Sequence, residues 1–424
     1  MKVRLAYGKS GLEVEIPDRN LVKVLTMQQT PRLSAPQTEL QRLLQFPIAT
    51  LPLRELAQKR RSACVVVSDI TRPVPNCLLL PVILEELEAS GILRNRITIL
   101  IATGLHRPNE GEELIGMLGK EIVRNYRIVN HHAREDQEQT YLGEVSQGIP
   151  VYLDSIYLES DLKITTGFIE PHLMAGFSGG RKLIAPGICG QETIKELHSP
   201  KILEDPRCRE GNLEGNLLHE IMLEIAELAG HDFIVNVSLD EKRQITGVFA
   251  GDPVEAHLQG VEFVRQHVRD TVPKPVDIVV TTSAGYPLDL TFYQAIKGLT
   301  AAIPIAKPGG TIILAAACEE GLGGPEFTQL VHKITDLDEF MERILHKPVE
   351  IDQWQLEECA KVARKADIFL VTQGLSKADE RGTFTRIFPD FDQALQAALT
   401  KHGSSATIAV IPQGPYVLAE VESD

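Results

Sequence analysis

Apolar residues along this chain come in short unbroken runs rather than in strict alternation. The runs richest in β-branched side chains are residues 64–68 (CVVVS), 97–103 (ITILIAT), 162–166 (LKITT), 277–281 (DIVVT), 310–317 (GTIILAAA), 367–372 (DIFLVT) and 406–411 (ATIAVI). Continuous runs of this length, bounded by turn-forming residues, predict strands buried on both faces. Between many of them the apolar spacing changes to a helical period, as over 78–90, 217–230 and 254–268. Strands alternating with helices predict parallel α/β layers. Many runs lead straight into a polar loop carrying Gly or Pro, such as Ser-Asp-Ile-Thr-Arg-Pro after the first and Gly-Leu-His-Arg-Pro after the second. Ligands of open parallel sheets bind beyond the carboxyl ends of the strands, so the chemistry is sought in these loops.

A proline-rich stretch at 270–275 (DTVPKP) precedes a fresh strand. The segment after it repeats the layout of residues 64–75: strand, small polar residues, turn with proline. The expected architecture is α/β, with two Rossmann-like α/β domains and an active-site cleft between them. Residues 1–272 form the first domain and 273–424 the second.

Composition narrows the function. The chain has 424 residues, 43% hydrophobic and 24% charged, an ordinary globular balance. Its 43 Lys and Arg against 58 Asp and Glu leave a net charge of −15. That argues against nucleic acid or an anionic membrane as partner, while a few cations gathered in one cleft still suit a small anion. The six cysteines are scattered, with no C-x-x-C pair, so neither a zinc ribbon nor a disulfide framework is legible. With no signal-peptide pattern at the start and no apolar run long enough for a membrane helix, a cytoplasmic protein is expected.

Four segments carry candidate chemistry. Residues 167–190 (GFIEPHLMAGFSGGRKLIAPGICG) combine glycines with adjacent Arg181 and Lys182. Close-approaching backbone and cations suit an anion; a glycine-rich turn with solvated basic residues fits equally. The spacing is not that of a Walker A loop. Asp69-Ile70-Thr71-Arg72, directly after a strand, can hold a hydroxyl and a carboxylate or phosphate, or form an internal ion pair in a proline-rich turn. His106, His172 and His198 lie in or near strand-end loops and can serve as acid, base or metal ligand; a three-histidine zinc site stays open. A helix beginning near Asp289 puts Tyr293 and Lys297 on one face, with Gln294 beside them. Trp354, the only tryptophan, sits in a polar helical stretch and suits packing or a pocket wall.

Taken together, residues 68–75 (SDITRPVP), 102–108 (ATGLHRP), 167–182 (GFIEPHLMAGFSGGRK), His198 and 285–298 (GYPLDLTFYQAIKG) resemble the nickel-dependent lactate racemase family. The resemblance implies a racemase interconverting D and L 2-hydroxyacids. It also implies a nickel-pincer nucleotide, a pyridinium-3-thioamide-5-thiocarboxylic acid mononucleotide, joined covalently to Lys182. By motif, His198 is the protein ligand to nickel, and His106 and His172 are the pair of proton donors and acceptors. Asp69, Ile70, Thr71 and Arg72 are cofactor contacts. Arg72, Gln294 and Lys297 are substrate contacts, with Tyr293 and Trp354 supporting the pocket. Proteins for cofactor synthesis and nickel insertion are the implied partners. Hydrogen would move as a proton to histidine and a hydride to the cofactor, which avoids a carbanion on a weakly acidic carbon.

The chain departs from the lactate-acting pattern at Leu173 and Met174, where that pattern has bulkier aromatic residues. Lactate and longer 2-hydroxyacids both stay open, since apolar pocket changes discriminate by only about 1–3 kcal/mol per methylene. Two other readings compete: a non-catalytic carrier of the same nucleotide, and a zinc hydrolase.

Overall fold

The computed structural model describes residues 1–422. Two six-stranded sheets form the centres of two layered halves. The first runs in the order Ile245–Gly251, Phe233–Leu239, Leu162–Phe168, Ala63–Ser68, Ile97–Ala102, Arg127–Asn130. All its pairings are parallel except that of Ile245–Gly251 with Phe233–Leu239. The second runs Arg386–Phe388, Asp367–Val371, Ala306–Ala315, Val276–Thr282, Ile408–Ile411, Leu21–Val24, parallel throughout. Every apolar run singled out from the sequence contributes to one of these strands, although 97–103, 310–317, 367–372 and 406–411 each run one or two residues past one end of the strand.

The unbroken runs have a direct cause. Side chains alternate across a strand, and here both faces are covered. Val65, Val67, Ile99 and Ile101 join one apolar cluster, while Cys64, Val66, Leu100 and Ala102 join another on the opposite face. The second sheet behaves alike, with Val279, Ile312 and Leu314 on one side and Ile278, Val280, Ile313 and Ala315 on the other. Helices Asn76–Ala89, Leu217–Ala229 and Glu255–Val268 occupy the three stretches of helical spacing.

One boundary differs from expectation. Residues 1–272 do not all belong with the first sheet, because Leu21–Val24 is the edge strand of the second. Asn20 fixes it there, donating from Nδ2 to the carbonyls of Ser404 and Ala406 at 2.9 and 2.7 Å. A four-residue strand with a distant partner leaves no local pattern to read. The chain also stays between the halves near the expected boundary, where Arg269–Val272 pairs with Leu418–Val421.

Among the described residues, no helix is long and apolar enough to cross a membrane.

Candidate functional site

The site begins at the carboxyl ends of two neighbouring strands. Ser68 pairs in register with Ala102, so the loops that follow emerge side by side. One carries Asp69 and the other His106. The Asp69 carboxylate lies 2.7 Å from His106 Nδ1 through Oδ2. Its Oδ1 accepts from the Thr71 N–H at 3.2 Å and from Thr71 Oγ1 at 2.6 Å. Burial raises the carboxyl of Asp69, yet the bonds from His106 and Thr71 and the charge of Arg72 hold it below its ordinary value. A carboxylate can only accept, so His106 Nδ1 bears the proton and Nε2 keeps a lone pair. The His106 side chain is 52% exposed.

The glycine-rich segment makes a small hairpin, Pro171–His172 against Gly176–Phe177, and then a tight turn. Gly179 and Gly180 take φ of +79° and +52°. A Cβ on Gly179 would fall 2.6 Å from Asn236 Oδ1, and one on Gly180 would fall 2.9 Å from the His257 ring. Only glycine makes this turn without a clash. Beyond it the two basic residues part. Arg181 is 1% exposed and donates to the carbonyls of Phe177 and Ala175 at 3.0 and 2.8 Å. It is a tie inside the core, not the anion-facing or solvated cation the sequence suggests, and burial lowers its pKa to about 9. Lys182 points instead to His172, with Nζ 3.1 Å from Nε2. Burial and the neighbouring cations push both groups well below their ordinary values.

His198 ends the helix Gln191–Leu197. Its Nδ1 donates to the Ile194 carbonyl at 2.8 Å, which leaves Nε2 with a lone pair. Burial pushes its pKa down to about 4, partly offset by that bond. Its ring lies 4.8 Å from the ring of Trp354, which comes from the second half and packs into the apolar cluster of the first.

Between the halves a cavity of about 40 Å³ is lined by Thr71, Arg72, His172, Leu173 and Lys297. Lys297 rises from the helix Phe292–Ala302 of the second half. Burial and Arg72 lower its pKa to about 7, against the opposing pull of Glu170, Glu210 and Asp69. Gln294 sits on the same helix with its Oε1 buried and unpartnered. Tyr293 does not share the cavity with Lys297: its ring packs edge-on to Phe327 at 5.1 Å, and burial and Asp352 raise its hydroxyl. Ile70 is 45% exposed and offers its N–H to Asn109 Oδ1 at 3.2 Å. Leu173 and Met174 both belong to the same core cluster, and Leu173 alone of the two also lines the cavity.

Two acids in this cavity escape a reading of the sequence. Glu170 approaches Arg72 at 3.6 Å, and burial raises its pKa despite Arg72, Lys297 and Lys182. Glu210 is buried, and burial together with Glu170 and Glu358 raises its pKa well above the ordinary range. Glu170 stands two residues before His172, which is a signal of sorts; Glu210 has none. The three-histidine zinc arrangement is not formed: among the described residues, no three His, Cys, Asp or Glu side chains converge on a metal position.

The family model for the lactate racemase N-terminal domain matches residues 7–211, and that for the lactate racemase C-terminal domain matches 271–419. A lactate racemase of Lactiplantibacillus plantarum is 36% identical over 425 residues, covering 99% of both chains. One of Thermoanaerobacterium thermosaccharolyticum is 34% identical over 421 residues, covering 98% of both.

The chain belongs to the lactate racemase family.

That makes it a member of a family of isomerases. The fold agrees, since the lactate racemase apoprotein of T. thermosaccharolyticum superposes with a TM-score of 0.94 at 34% identity, over 99% of this chain and 100% of that one. A Thermotoga maritima protein of known structure shares the fold alone, with a TM-score of 0.70 at 17% identity, over 94% and 100%. The lactate racemase N-terminal match includes Leu21–Val24, which folds into the second sheet. Stretches contiguous in sequence and layers of the fold therefore do not coincide in this family member.

Proposed function

We propose that the protein racemises a 2-hydroxyacid, lactate or a related 2-hydroxycarboxylate, with a nickel-pincer nucleotide joined to Lys182. The observation that supports this reading is that Arg72 and Lys297 line one cavity with His172, whose Nε2 faces the Lys182 amine, while the loop that carries Arg72 also carries Asp69, the partner of His106. The residues fit the group. Lys182 is buried with its charge suppressed, as a lysine that forms a thioamide must be. His198 has Nδ1 committed to a carbonyl, which fixes the ring and leaves Nε2 for nickel, the usual way a ligand histidine is oriented. When bound, the nucleotide supplies the nickel and the hydride acceptor.

The chain's own residues do the rest. Arg72 and Lys297 hold the substrate carboxylate, Arg72 through its planar fork, and Gln294 Oε1 is free to accept from the substrate hydroxyl. His106 Nε2 takes the hydroxyl proton while Asp69 stabilises the imidazolium that forms, as in other Asp–His pairs. His172, which lines the cavity, serves the opposite enantiomer. A planar 2-oxoacid lies between the two hands, and Leu173 shapes the wall beside it. Thr71 and the amide of Ile70 brace the Asp69 loop against the nucleotide, and Trp354 holds the His198 ring. Proteins that synthesise the nucleotide and insert nickel are the partners this reading requires.

The test is intact-mass analysis of protein made alongside the cofactor-synthesis proteins, followed by single enantiomers of a 2-hydroxyacid panel. An adduct with racemisation of at least one acid is expected. An adduct with no turnover would make the protein a carrier, and no adduct would overturn the reading.

A further inference from the structure

His172 is constrained on both ring nitrogens. Its Nδ1 accepts from the N–H groups of Met174 at 3.3 Å and Ala175 at 3.2 Å, so Nδ1 carries no proton. A neutral imidazole of that kind bears its proton on Nε2. Nε2 faces Lys182 Nζ at 3.1 Å. An ammonium would set two donors against each other at that distance. Nζ must therefore accept, and only a neutral amine has the lone pair to do so.

The surroundings push the same way. Arg72, Arg181 and Lys297 disfavour a further positive charge at Lys182, and burial disfavours it more; Glu170 alone opposes them. Arg181 cannot swing away, since carbonyls of the hairpin hold its guanidinium. His198, which also feels Lys182, is itself kept neutral by burial.

We propose that, before any cofactor is attached, His172 holds Lys182 as a neutral amine through its Nε2–H, so that this lysine is a ready nucleophile toward acyl-class carbon at neutral pH. His172 thereby has a positioning role in loading that is separate from any role in turnover. Ordinary lysines titrate near 10.4 and are almost wholly protonated at pH 7. The bond change is simple. Nζ attacks the carbon of a thiocarboxylic acid, the Nζ–C bond forms and the C–O bond breaks. The oxygen leaves as water with the acid's own proton and one from the amine, and a thioamide remains, with nothing oxidised or reduced. The identity of that acyl group rests on the function proposed above; the charge state of Lys182 does not.

The experiment uses unloaded full-length protein and potassium cyanate, a small reagent that carbamylates neutral amines. Peptide mass spectrometry follows labelling of Lys182 relative to exposed Lys59 and Lys347 between pH 7 and pH 10. Taking the ratio cancels any constant effect of access. The Lys182 to Lys59 ratio should fall at least tenfold from pH 7 to pH 10, because only the surface lysine gains free amine. In His172→Leu the ratio at pH 7 should drop about tenfold, and His172→Gln, which keeps a donor, should restore most of it. A ratio flat with pH in the wild-type protein would overturn the proposal, as would a ratio unmoved by His172→Leu in a folded variant. Lys182 unlabelled at every pH would overturn it too, since a nucleophile must be reachable. A positive result with no adduct in the co-production test would sink the proposed function alone.

Discussion

The two strand-end histidines of the cleft are prepared in opposite ways. His106 stands on an exposed loop with Nδ1–H tied to a buried carboxylate, so it presents a lone pair. His172 is enclosed in a hairpin, with Nδ1 occupied by backbone donors, so it presents a proton. Equal residue types thus carry opposite polarity, set by second neighbours rather than by the imidazoles, and only His172 lines the cavity. The lesson is that a histidine's role is decided by what its far nitrogen touches. For His172 to act as a base through Nε2, as the proposed reaction asks, the proton must move to Nδ1, so the ring must release its backbone bonds, which at 3.2 and 3.3 Å are long ones.

The comparison breaks most completely at Lys182. Lys182→Ala removes the group that His172 faces, and intact mass should show no cofactor adduct and no racemisation above background. Next comes the His106 side. Asp69→Asn keeps the shape of the loop but offers a donor or a weak acceptor where a carboxylate stood. His106 can then take the wrong tautomer, and kcat should fall about 100- to 10,000-fold, by analogy with other Asp–His pairs; loss of less than tenfold would remove Asp69 from the mechanism. His198 sharpens the contrast, because it has the polarity of His106 without a carboxylate. Its pKa is lowered from the ordinary 6.5 to about 4. The unfolded chain therefore binds the proton more tightly, so the folded state loses stability as pH falls from about 6.5 to 4. The loss should reach about 3 kcal/mol, measured by denaturant unfolding, and His198→Gln should flatten it. The smallest effect is expected for Thr71→Val, which removes one 2.6 Å bond to Asp69. A cost of about 1 kcal/mol, read as a rate loss of up to tenfold, would show that Thr71 trims the pair rather than makes it.

Much of the architecture is legible in the sequence because the strands are covered on both faces. Val65 and Cys64 go to different cores, so neither can be polar, and the run stays unbroken. The loops after those strands could be named as chemical for the same topological reason. The edge strand Leu21–Val24 is not legible. It is short and only partly buried, and its partner Ile408–Ile411 lies at the far end of the chain. Arg181 misleads because adjacency to Lys182 suggests a shared task, whereas the turn at Gly179 and Gly180 sends the two apart. Glu210 is silent in sequence, since its role depends wholly on which buried charges surround it. Tyr293 and Lys297 are one helical turn apart, but the packing of Phe327 claims the first and the cavity claims the second.

The edge strand has a consequence for how the molecule is made. Leu21–Val24 and Ile408–Ile411 leave the ribosome at opposite ends of synthesis, yet they pair side by side. The strands of the first sheet all lie between residues 63 and 251, so that sheet can fold while translation continues. The second sheet waits for almost the whole chain before its edge strand finds its neighbour. A nascent chain therefore builds the Lys182–His172 pair first and covers it last.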